Sequence, residues 1–214
     1  MRFMRRQFWN REATEDSFRQ LGLLQKEVDF VLIGGWAVYL YVEAQKNQDI
    51  DIVIDTNQLN YFRKFGISDY ENSRIKHSEI GRTVVDLFIE EYMDKDMPFP
   101  TKVILNNYVR IGNIKVVEKN LLLLLKLWRY FSADEIKHRK DVVDVVSLLF
   151  YGGIDLKKVK KYATMYKIER RKSSDAMLEY LDVGSTLAEF ITDDVEDYEK
   201  LKYTVKSKIK KTFD

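Results

Sequence analysis

The chain has 214 residues, 45% of them hydrophobic and 33% charged, with only two prolines, so a folded protein with a real core is expected and a disordered one is excluded. Its 36 basic and 34 acidic residues leave a net charge of +2, which gives no overall bias toward a polyanion, so any basic surface must come from local segregation. With no cysteine and only His77 and His138, disulfides, thiol nucleophiles and His/Cys-rich metal sites are excluded.

Helical spacing of Phe18, Leu21 and Leu24 predicts a helix over 12–27. The apolar run Val28 to Ile33 is too short for a helix and ends at Gly34-Gly35, which predicts a buried strand and a turn. Trp36 to Ala44 then reads as a helix, and Asp49 to Asp55 alternates acids with Ile and Val as a strand does. A short helix over Gln58 to Lys64 precedes two strands, Asn72 to Ile80 and Thr83 to Ile89, joined by a hairpin turn at Gly81-Arg82. That hairpin predicts a mixed sheet. Beyond the acidic loop Glu90 to Asp96, the runs Lys102 to Leu105 and Val109 to Val117 are expected to extend the sheet or its edge. The period then becomes helical, over 119–131, 134–151, 155–165 and two more helices between 173 and 212. The expected architecture is α+β, a mixed β-sheet with flanking helices over 1–117 followed by a helical region over 118–214.

The longest charge-free apolar stretch, Phe30 to Val42, is well short of the ~20 residues that span a bilayer, and the charged start MRFMRRQFWNRE lacks a signal-peptide core. A cytoplasmic chain with no membrane partner is the expectation.

Asp49 and Asp51 stand two apart in QDIDIVID, so on a strand both carboxylates leave one face. At about 7 Å they repel by roughly 2 kcal/mol at an effective dielectric near 20. Asp86, in VVDLFIE, leaves the face opposite Val85 and Leu87 and adds to that repulsion where the two strands are neighbours. Hard oxygen donors without His or Cys point to Mg2+ or Mn2+, which bridges carboxylates to substrate phosphates. The bland alternative is an acidic solvent face on an edge strand. Gly34-Gly35, at the end of a buried strand and the start of a helix, lets backbone amides approach a phosphate.

Taken together, GGWAVYLYVEAQKNQDIDIVID and the later VVDLFIE resemble the signature of the polymerase-β-like nucleotidyltransferase superfamily. The resemblance implies that Asp49, Asp51 and Asp86 are catalytic and hold the metal, with Asp86 helping to activate an acceptor hydroxyl, and that Gly34 and Gly35 face a nucleoside triphosphate. The Gly-Gly-Trp-Ala opening is similar to antibiotic nucleotidyltransferases. VVEKNLLLLLKLWRY followed by KHRKDVVDVVSLL resembles the helical segment of AbiEii-type proteins, which implies that Lys126 contacts phosphate and Asp141 supports it, with Asp144 a turn further on. Asn47 stands where many relatives place Arg or Thr. The implied activity is metal-dependent transfer of a nucleoside monophosphate from a nucleoside triphosphate such as ATP to an RNA or tRNA end, a protein or a small molecule. The rival from another class is a non-catalytic module on the same fold, such as a toxin-antitoxin component.

Basic residues cluster at Lys157, Lys158, Lys160, Lys161, Lys167, Arg170, Arg171 and Lys172, whereas 189–199 is acidic. This segregation suits either a phosphate track for a tRNA-sized acceptor or solvated helix faces.

Overall fold

The computed structural model describes residues 6–69, 75–89, 97–128 and 135–213, with backbone alone for 135–138, 170 and 171. The start of the strand expected at 72, the acidic loop 90–96 and the end of the helix expected at 131 lie outside the described residues. Contacts divide the chain into two units. One holds Trp9–Leu40 and Lys46–Glu118; the other holds the segment ending at Phe8, Tyr41–Gln45 and the chain from Lys119 onward.

The first unit is α+β. Helix α1 (Arg11–Glu27) opens on Asn10, whose side chain accepts from the Ala13 amide and so satisfies one of the donors a helix start leaves free. Its buried positions Thr14, Ser17, Leu21 and Leu24 form one stripe. Strand β1 (Phe30–Leu32), helix α2 (Gly34–Val42) and strand β2 (Ile50–Ile54) follow. A 3-10 turn at Thr56–Gln58 leads into α3 (Leu59–Arg63), then β3 (Ser68–Asp69), β4 (Lys76–Ile80) and β5 (Thr83–Ile89). Helix α4 (Thr101–Asn106) and strands β6 (Tyr108–Ile111) and β7 (Ile114–Val117) complete the unit.

Among the described residues the strands form one sheet in the order β3-β4-β5-β2-β1-β7-β6. It is mixed: β2 runs parallel to β5 and β1 parallel to β7, while the other neighbours are antiparallel. The hairpin at Gly81-Arg82 pairs Ile80 with Thr83, as its sequence predicts. Register puts Phe30, Leu32, Ile50, Ile52, Ile54, Val85, Leu87 and Ile89 on one sheet face, and all are buried. Burying each such side chain contributes about 1.5–3 kcal/mol, so this apolar row holds the register of β1, β2 and β5 against slippage. Trp36 of α2 is fully buried, and its indole N–H donates to Ser17 Oγ at 2.8 Å, joining α2 to α1.

The run Val109 to Val117 extends the sheet at its edge as expected, Lys102 to Leu105 does not, and two boundaries are refined. Lys102 to Leu105 is helical, not a strand: Thr101 and Ile104 are the buried positions, a helical interval, and Thr101 Oγ donates to the Ile89 carbonyl at 3.2 Å. Pro100 precedes the helix with φ −56°, a value proline presets for a helix start. The run Val109 to Val117 is two strands, because Gly112, at φ +58°, and Asn113 turn the chain so that Ile111 pairs with Ile114. β2 also begins at Ile50, so Asp49 precedes the paired strand.

The second unit is helical. It contains α5 (Lys119–Trp128), α6 (Glu135–Tyr151), α7 (Leu156–Met165), α8 (Arg170–Val183), a 3-10 turn at Gly184–Leu187, α9 (Ala188–Ile191) and α10 (Val195–Phe213). The run of five leucines in α5 is buried throughout. Gln45 is buried too: its amide donates to the Arg6 carbonyl at 2.8 Å and accepts from the Phe8 amide at 3.1 Å, and Phe8 stacks on Phe190 with centroids 4.4 Å apart. Among the described residues no helix is long and apolar enough to cross a membrane.

Candidate functional site

In the α+β unit, β2 and β5 are neighbours in the sheet centre, and their parallel register sets Asp51 beside Asp86. Residues in register on paired strands project from the same face, with strands about 4.8 Å apart. Asp51 is only 8% exposed, whereas Asp86 is half-buried. β2 is a buried central strand and not the acidic solvent face of an edge. Asp49 is half-buried in the bend just before β2. Asp55, by contrast, caps the following 3-10 turn through a bond from the Asn57 amide at 3.0 Å, a structural duty.

Gly34 is fitted to this strand. The Ile33 amide donates to the Asp51 carbonyl at 3.0 Å, which draws the end of β1 against β2. Gly34 then takes φ +66°, and a Cβ built on it would overlap the Asp51 carboxylate. Only glycine satisfies both the left-handed backbone and the close approach. Gly35 is buried in the first turn of α2. The Asp51 carboxylate therefore lies directly against the backbone at the start of α2.

His77, which its sequence context favours as structural or exposed rather than catalytic, lies on the same row. His77 of β4 is in register with Asp86 on the antiparallel side, so His77, Asp86 and Asp51 occupy successive strands on one sheet face. A signal for it exists in the sequence. A two-residue hairpin pairing 80 with 83 pairs 77 with 86 by counting.

Among the described residues, no three His, Cys, Asp or Glu side chains form a ready-made metal cage. Two of the donors present, Asp51 and Asp86, are oxygen-only carboxylates in register, the donor type that a magnesium-like ion takes. Such an ion keeps several waters and takes one or two carboxylates plus substrate oxygens.

In the helical unit, Lys126 of α5 is buried, and its ammonium meets Asp141 at 2.7 Å and Asp144 at 2.8 Å, both on α6. Lys140 approaches Asp144 at 3.4 Å. Asp141 and Asp144 stand one helical turn apart, which is why both reach one lysine. The other oxygen of Asp144, Oδ1, is buried with no hydrogen-bond partner among the described residues. Lys126 is thus no snorkelling surface lysine. Two carboxylates neutralise it.

Compared with protein-family models and with curated proteins, the sequence matches none.

Proposed function

We propose that this chain is a nucleotidyltransferase of the polymerase-β-like type, with Asp51 and Asp86 as its central carboxylates and Asp49 as the third. The observation that carries the reading is the register of Asp51 with Asp86 on adjacent parallel strands, with Gly34 pressed against Asp51 at a helix start. A chance acidic strand has no reason to bring a third-motif carboxylate alongside it and a glycine onto it.

Asp51 and Asp86 would hold Mg2+ or Mn2+, with Asp49, which forms no three-donor group with them in this structure, joining as the third ligand when the nucleotide binds; the ion when bound supplies charge compensation for the triphosphate and for the departing pyrophosphate. The amides around Gly34 and Gly35 orient the triphosphate. The acceptor hydroxyl oxygen forms a bond to the α-phosphorus as the bond from that phosphorus to the β-phosphate bridging oxygen breaks, and Asp86 takes the hydroxyl proton. The protein's share is mainly positioning. Lys126 and Asp141 form the nucleotide-binding element of the helical unit in this reading.

Asp51→Asn tests it. Removing a charge from beside Asp86 relieves repulsion, so the apo protein should melt at the same temperature or higher. Magnesium- or manganese-dependent transfer from radiolabelled nucleoside triphosphates, offered with total RNA, should vanish. A variant that loses about 1–3 kcal/mol of stability, the cost of an unpaired buried donor, and still responds to metal and nucleotide as the parent does would defeat the assignment.

A further inference from the structure

We infer that the helical unit carries a binding surface for the phosphodiester backbone of a nucleic acid, formed where α7 meets the end of α10. α7 holds four lysines and no acid, and residues 204–213 of α10 hold four more and again no acid. Lys160 joins the two helices: its ammonium donates to the Thr212 carbonyl at 2.6 Å and lies 5.8 Å from the Phe213 ring centroid. Lys157 and Lys161 flank Lys160 on α7, while Lys208, Lys210 and Lys211 lie within about one turn of Thr212. All five are exposed, and none has an ion-pair partner among the described residues.

The rest of α10 shows that this is not simply how its lysines are arranged. Lys200 pairs with Asp197, Lys202 with Asp182 and Glu199, and Lys206 with Asp182. Acids neutralise one half of the helix and leave the other positive. Lysines at the end of α10 gain from the carbonyl end of the helix, but Lys157 and Lys158 occupy the first turn of α7, where the helix field disfavours cations. Asp155, the N-cap, accepts from both their amides and offsets part of that field, but it forms no ion pair with Lys157.

The chemistry narrows the partner. Val159, Ala163, Val205 and Ile209 are buried within the unit, and the apolar side chains exposed on these helices, Met165 on α7 and Val195 and Tyr203 on α10, lie outside the lysine-rich segment 204–213 as single positions, so a lipid surface is left as an outcome of the test. Separated ammonium groups, without arginine forks among the five, suit point contacts to successive phosphates. The inference goes beyond the transfer reading, since binding needs neither the carboxylates nor turnover. It deepens that reading only by favouring nucleic acid among the possible acceptors.

The test is fluorescence anisotropy with labelled RNA and DNA hairpins of one sequence, titrated over a range of KCl. Five phosphate contacts predict a slope of log K against log salt of about −3.5 to −4.5, so affinity falls by about two orders of magnitude between 50 and 200 mM. Lys157→Gln/Lys161→Gln/Lys208→Gln should flatten the slope by about 2 to 3 at unchanged melting temperature. Lys200→Gln/Lys202→Gln/Lys206→Gln, which removes ion-paired lysines, should change it by less than about one. Preference for either hairpin supports the inference and names the nucleic acid. Three results overturn it: no salt-dependent binding of either hairpin, an unchanged slope in the first variant, or equal binding of anionic lipid vesicles. Asp51→Asn should keep full binding, so a failed transfer assay and a failed surface are told apart.

Discussion

At the scale of single residues, Gly34 and Gly112 make a controlled pair. Both sit at positive φ, +66° and +58°, yet a Cβ at Gly34 overlaps the Asp51 carboxylate while one at Gly112 meets nothing within 4 Å. Gly112→Ala should therefore cost only the left-handed strain, about 1–2 kcal/mol, and leave transfer intact. Gly34→Ala adds a steric conflict that must move Asp51 or the start of α2, so it should cost more than Gly112→Ala and abolish transfer. Thermal melts of both variants, with the transfer assay alongside, check this. Equal stability losses with equal residual transfer would show that the contact between Gly34 and Asp51 does not matter.

At the scale of elements, legibility in the sequence tracks how local the determining signal is. β2 and β5 were readable because acids alternating with Ile and Val fix a strand and its faces, and the β4-β5 turn because Gly81-Arg82 interrupts two such runs. α4 was not, since Val103, Ile104 and Leu105 favour a strand locally and are overridden by burial of Thr101 and Ile104 after Pro100. Nothing near Gln45 announces that its amide will tie the segments at Arg6 and Phe8, because those contacts are made across long stretches of chain. In the site, spacing alone pairs Asp49 with Asp51, but only the register of two strands distant in sequence brings in Asp86 and His77.

The α5-α6 junction yields a prediction at this scale. Lys126→Ala removes the ammonium that Asp141 and Asp144 both meet in the interior, Asp144 keeping Lys140, which should cost about 3–5 kcal/mol. Lys126→Met/Asp141→Leu removes one charge of each sign and should regain most of that loss, Asp144 keeping Lys140. If Lys126 also serves the nucleotide, the double variant will be stable yet bind triphosphate weakly by calorimetry. Restored stability with parental affinity would reduce the pair to a structural ion cluster.

For the molecule as a whole, stability against pH depends on groups buried in one protonation state, and Tyr198 of the helical unit is such a group. Its side chain is fully buried, its hydroxyl donates to the Leu181 carbonyl at 2.8 Å, and a Cβ at Gly184 would overlap that hydroxyl, so the phenol sits in a fitted slot. Burial first, then the charges of Glu199 and Asp182, raise its pKa well above the ordinary tyrosine value. The folded chain thus favours the protonated phenol. This contribution is fully present below the unfolded value, near about 10, and is lost as pH rises from there toward the folded value. Tyr198→Phe forfeits the hydrogen bond, about 1 kcal/mol at neutral pH, but also removes the group whose ionisation destabilises the fold. Urea melts of the parent and the variant should therefore differ most at neutral pH and converge as pH climbs past about 10. A constant gap between the two curves across that range would show that Tyr198 ionises as readily folded as unfolded.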